Sequence, residues 1–213
     1  MKAGGGSGRN VRMKKIAIID YGLGNLRSVI RGLEKAGADA VITSEKDEIA
    51  AADGLVLPGV GAFHEGMDQL GPLKNTVMEA TRDVPLLGIC LGMQMLMDTS
   101  EEHGIHPGLG LVPGHVRRFP RGSGQKVPHM GWNSLLIEQA DNPLFAGFGR
   151  QEYVYFVHSF YAQTTPEFTL TTTEYICPFA SSVGRGNAYG VQFHPEKSGA
   201  TGLLLLNNFI GMV

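Results

Sequence analysis

The chain has 213 residues, a formal net charge of -2, and 18% charged residues. So even a balance leaves no basic surplus for phosphates, which excludes generic nucleic-acid binding. Two cysteines cannot build a disulfide framework, and 43% hydrophobic residues are too many for a disordered chain.

Residues 1–12, MKAGGGSGRNVR, are Gly/Ser-rich and basic with no hydrophobic stretch. They read as a flexible tail rather than a secretory signal, with a single domain expected over 13–213. KIAIID at 15–20 is a near-continuous apolar run, the mark of a parallel strand buried on both faces. Asn25 to Ala36 has helical spacing through Leu26, Val29, Ile30 and Leu33, closed by Gly37. Strands are expected at Ala40–Thr43, Gly54–Leu57 and Pro85–Ile89, with helices over Leu73–Arg82 and about Leu91–Met97. After Ser100 strands dominate: Val116–Phe119, Ser134–Glu138, Tyr153–Phe160, Phe168–Thr173 and Ala180–Gly184. Gly186-Asn187 suggests a hairpin into Ala188–Phe193, and a helix over Ser198–Ile210 closes the chain. The alternation predicts an α/β fold with an open, mixed, mainly parallel sheet and flanking helices. No apolar run reaches the ~18 residues a membrane span needs, and a cytoplasmic location is expected.

Gly88-Ile-Cys90-Leu-Gly92 stands where a strand meets a helix. A nucleophile flanked by glycines at that junction is the elbow pattern. The turn sets Cys90 at a helix start, where free N–H groups favour a thiolate. A buried structural cysteine is the plainer alternative, and Cys177 before Pro178 takes that reading. A cysteine nucleophile needs a base, and the base needs an orienter. Among seven histidines, His103 and His106 form only a weak H-x-x-H metal signal in a polar loop. His64 and His115 carry no signal, and His129 and His158 sit in apolar runs as packed or ligand-lining residues. His194 differs: it ends a strand and is followed by Pro195-Glu196, and in extended chain i and i+2 share a side. No metal site and no cofactor are expected.

The stretches Gly88-Ile-Cys90-Leu-Gly-Met-Gln94 and His194-Pro-Glu196 resemble the class I (triad) glutamine amidotransferases over nearly all of Met13 to Val213. The resemblance implies a flavodoxin-like core and a glutamine substrate. It makes Cys90 the nucleophile, His194 the base and Glu196 its orienter. It also implies an oxyanion hole from the Leu91 N–H and the Gly59-Val60-Gly61 loop, and glutamine contacts from Gly61, Gln94, Ser159 and Phe160. Three further stretches, Asp20-Tyr-Gly-Leu-Gly-Asn25, Pro58-Gly-Val-Gly-Ala-Phe63 and Pro128-His-Met-Gly-Trp-Asn133, resemble the histidine-biosynthetic branch. There the glutaminase pairs as a heterodimer with a cyclase of (β/α)8-barrel type. That likeness places Asn25, Met130, Trp132, Tyr155 and Lys197 at the partner interface. The alternatives are another triad amidotransferase with a different acceptor, a catalytically silent interaction module, and an unrelated cysteine hydrolase.

Overall fold

The computed structural model describes residues 13–120, 122 and 124–213; the expected tail over 1–12 lies outside them. The first half of the chain runs β1 (Lys15–Ile19), α1 (Leu26–Lys35), β2 (Asp39–Thr43), α2 (Lys46–Ala50), β3 (Gly54–Gly59), α3 (Phe63–Leu70), α4 (Lys74–Ala80), β4 (Leu86–Cys90) and α5 (Leu91–Met95). The second half runs β5 (Thr99–Ser100), β6 (His106–Pro107), β7 (His115–Arg118), β8 (His129–Ile137), β9 (Glu152–His158), β10 (Phe160–Gln163), β11 (Thr169–Glu174), β12 (Pro178–Arg185), β13 (Ala188–Val191) and α6 (Gly199–Met212). Short 3-10 turns cover Pro143–Phe145 and Pro195–Lys197.

The parallel core has the order β2-β1-β3-β4-β13. This is the flavodoxin-like order, in which ligands bind beyond the carboxyl ends of the strands. β3 and β4 are buried at every position, so their apolar runs are continuous rather than alternating. Successive side chains go to opposite faces. Ala17, Ile19, Leu55 and Leu57 pack with Phe63, Leu70, Val77, Leu91 and Met95 on one side. Ile16, Ile18, Val56, Leu87 and Ile89 pack with Val29, Leu33, Leu205 and Phe209 on the other. From β13 the sheet continues antiparallel through β12, and the hairpin at Gly186-Asn187 pairs Arg185 with Ala188 as expected. β11 pairs with β12 and β8, and β8 with β9.

Several expectations need correction: β8 starts at His129, five residues before the expected Ser134, and β5 and β6 form where no element was expected. α2 and α3 fall in segments left without elements. α2 has only five residues, too few to show a period. α3 carries Gly66 in its interior, a helix-weakening residue. A Cβ there would come within 3.1 Å of Leu91 and Met95, so the glycine serves close packing against α5. The strand expected over Tyr153–Phe160 is two strands, since β9 stops at His158 and β10 starts at Phe160. β9 pairs with β8, whereas β10 pairs with β7 and β12. The chain therefore changes partners at Ser159. Finally, β13 ends at Val191 rather than Phe193.

Candidate active site

Cys90 is the last residue of β4 and the N-cap of α5, with φ 55° and ψ -107°. A non-glycine residue at positive φ is costly and marks a functional turn. The glycines on either side make the turn possible. A Cβ on Gly88 would lie 2.7 Å from the Gly92 carbonyl carbon, and one on Gly92 would overlap the Leu57 carbonyl. Because α5 begins at Leu91, its first N–H groups have no intrahelical acceptor.

His194 follows β13 in extended backbone, φ -103° and ψ 95°, and its Nδ1 lies 2.8 Å from Glu196 Oε1. The two side chains are 3% and 1% exposed. The pairing is the expected one, but the route differs, because Pro195–Lys197 is a 3-10 turn and not a continued strand. A buried ion pair of this kind persists only when its geometry is fixed. His194 N donates to the Tyr155 carbonyl, Ser198 Oγ donates to the His194 carbonyl, and Tyr155 N donates back to Ser198 Oγ. Ser198, not foreseen from sequence, thus ties the base to β9. Burial alone would push the His194 imidazole down, but the neighbouring Cys90 thiol and the Glu196 carboxylate outweigh it and hold the ring at about 9. Among the described residues, its Nε2 has no hydrogen-bond partner, leaving that nitrogen for chemistry.

A cleft of about 360 Å³ opens over these groups, lined by Val60, Gly61, Cys90, Leu91, Gln94, Glu102, Pro128, Val157, His158, Ser159, Phe160 and His194. Cys90, His194 and six further expected residues thus line one cleft. Gln94 spends both amide hydrogens, on the Phe160 carbonyl and on Gln192 Oε1, each at 3.0 Å. Gln192 in turn donates to Cys90 Sγ at 3.7 Å. Gln192 and Glu102 were not foreseen, though Gln192 sits two residues before His194. Glu102 accepts from Phe63 N at 2.7 Å, which fixes the start of α3 just after the loop. Val60 is 42% exposed and Gly61 has φ +106°, which suits a reorienting peptide. Gly59 does not line the cleft. It is buried beside Cys90 in the β3–β4 register, and a Cβ there would press on Leu91 and the Tyr21 hydroxyl. Its contribution is room for the elbow. A larger depression of about 890 Å³ begins on the far side of Pro128, lined by Gln125, Lys126, Met130, Glu174 and Tyr175 among others. Among the described residues its lining has no cysteine and no histidine, whereas the smaller cleft holds Cys90 and His194.

None of the expected interface residues lines this cleft. Met130 and Trp132 are 62% and 57% exposed on the outer face of β8, Tyr155 is half-buried opposite Trp132, and Asn25 and Lys197 are exposed. Asn25 also caps α1, accepting from Ser28 N.

A family model described as glutamine amidotransferase class-I matches residues 17–212. The chain is 56% identical over 203 residues to imidazole glycerol phosphate synthase subunit HisH of Methanosarcina mazei, spanning 94% of this chain and 100% of that one. It is 51% identical over 208 residues to the subunit of the same name from Natronomonas pharaonis, spanning 93% and 95%. Among solved structures, PurLQS from Thermotoga maritima aligns with a TM-score of 0.72 at 20% identity, covering 93% of this chain and 99% of that one. The acivicin-bound glutaminase domain of Trypanosoma brucei CTPS aligns with a TM-score of 0.67 at 16% identity, covering 94% and 95%. These two are likenesses of fold.

Proposed function

The chain belongs to the class-I glutamine amidotransferase family, and from that premise we propose that it is the glutaminase subunit of an imidazole glycerol phosphate synthase. The observation that carries the chemistry is the buried Cys90–His194–Glu196 arrangement at the floor of the cleft. Cys90 Sγ attacks the side-chain carbonyl carbon of glutamine, with the thiol's proton held on His194 Nε2. The tetrahedral oxyanion is met by the Leu91 N–H and by the loop at Val60. His194 returns its proton to the leaving nitrogen, which departs as ammonia and leaves a γ-glutamyl thioester. A water deprotonated by His194 then attacks the thioester, giving glutamate and the free thiol. Glu196 orients the ring and balances its charge.

The side chain of Gln94 still offers its Oε1, an acceptor suited to the ammonium of the amino acid. Ser159, at the break between β9 and β10, presents backbone to the same end. Residues 13–213 act as one domain. The partner is a cyclase of (β/α)8-barrel type, seated against Met130, Trp132, Tyr155, Asn25 and Lys197, and ammonia passes to it directly. The test is to mix the chain with candidate synthases and follow glutamate release. The cyclase of the histidine pathway is expected to stimulate release. Stimulation only by a synthase for another acceptor overturns this choice of partner while leaving the chemistry in place.

A further inference from the structure

Two buried histidines take no part in the reaction just described. His129 and His158 are 3% and 5% exposed and face each other in the β8–β9 register. Their protons can be placed one by one. The Phe160 carbonyl lies 3.0 Å from Gln94 Nε2 and 2.8 Å from His158 Nδ1. A carbonyl only accepts, so His158 carries its hydrogen on Nδ1, and its Nε2 is an acceptor. His129 Nδ1 lies 2.9 Å from that Nε2 and is therefore the donor, which makes His129 Nε2 an acceptor too. Asn133 Nδ2 is placed to serve it at 3.3 Å while also donating to the Glu174 carbonyl at 2.9 Å. Asn133 Oδ1 accepts from Ser134 N at 2.8 Å, which agrees with this orientation of the amide.

The donor direction thus runs unbroken from Asn133 on β8 through two imidazoles to Phe160 at the cleft. Burial keeps both rings neutral, pushing His129 down to about 4 and His158 down to about 3, the latter despite its bond to the Phe160 backbone. An added proton on either ring would set two N–H groups face to face. Aromatic packing holds the planes: His129 stacks on Tyr175 and Phe156 with ring centroids 4.0 and 4.8 Å away.

We propose that His129 and His158 are positioning residues for glutamine binding, a proton-ordered relay that fixes the Phe160 carbonyl, and with it Gln94, to strand β8. The inference rests on the glutaminase reading. His129 shares β8 with the outward Met130 and Trp132, so the relay also gives the outer face of β8 a physical connection to the cleft.

The first test needs no variant. Nitrogen-15 shifts of the imidazoles at neutral pH are expected to report the Nδ1–H tautomer for both rings. A proton on Nε2 of either ring overturns the relay. The second test is kinetic. His129→Leu should raise KM for glutamine about ten-fold with kcat within two- to three-fold. His129→Asn, whose amide nitrogen stands near the lost Nδ1, should recover most of it. An unchanged KM in His129→Leu, or no recovery in His129→Asn when both variants fold, overturns the assignment. Wild-type chain that releases no glutamate would instead defeat the glutaminase reading, and the tautomer result would still decide the relay.

Discussion

At the scale of single residues, two local facts set the chemistry: the positive φ of Cys90 and the 2.8 Å contact of His194 with Glu196. A strained nucleophile costs on the order of 1–3 kcal/mol, and the burial of β4 and α5 around it offsets that cost. Glu196→Gln keeps the shape but loses the charge that favours the imidazolium. Glutamate release is expected to fall by about 10²- to 10⁴-fold, read from initial rates at saturating glutamine. The contacts of His194 with Cys90 and Glu196 have a pH signature. His194 sits at about 9, above its ordinary 6.5. Its stabilising contribution is therefore fully present below about 6.5 and lost as pH rises through about 9. The unfolding free energy of wild type minus that of His194→Gln should shrink over this window in denaturant titrations. A difference that stays constant from pH 6 to 10 would contradict the assignment.

At the scale of elements, the elbow is a matter of space. A Cβ on Gly92 overlaps the Leu57 carbonyl, which is backbone and cannot step aside. Gly92→Ala is expected to destabilise the fold by about 3 kcal/mol or more, measurable as a lowered midpoint in urea. What was legible in the sequence follows the same line. The β1, β3 and β4 runs, the Gly-Cys-Gly elbow and the His194–Glu196 spacing announce themselves because burial and turn geometry leave few other residues suitable. α3 was hidden because Gly66 answers to the packing of α5 and not to helix propensity. The break at Ser159 was hidden because VYFVHSFYAQ is equally good strand on both sides, and only pairing with different neighbours divides it. Gln192 and Ser198 lie two and four residues from His194, but their bonds to Gln94, Cys90 and Tyr155, like that of Glu102 to Phe63, are tertiary contacts that no local spacing reports.

At the scale of the molecule, the carboxyl ends of the parallel strands β1, β3, β4 and β13 bring the Asp20–Asn25 loop, the Val60 loop, Cys90 and His194 to one edge of the sheet. Few charges line the cleft itself, which fits a substrate whose reacting group is a neutral amide. Trp132 is 57% exposed, with Tyr155 edge-on at 6.2 Å, so it contributes little to the fold and is free to anchor a partner. Trp132→Ala should weaken association with the cyclase by at least about 30-fold, equivalent to ~2 kcal/mol, while the thermal midpoint of the isolated chain changes little. Unchanged binding in titration calorimetry would remove Trp132 from the interface. The central claim is that Cys90 carries covalent glutamine hydrolysis in a subunit coupled to a cyclase. The most direct measurement is glutamate release by wild type and Cys90→Ser, each with and without the cyclase and its ligand. Release by wild type is expected to rise with the liganded cyclase. In Cys90→Ser it is expected to fall by on the order of 10⁴-fold or more, with the complex still formed and ammonia-dependent synthesis intact. Undiminished release by Cys90→Ser would contradict the claim.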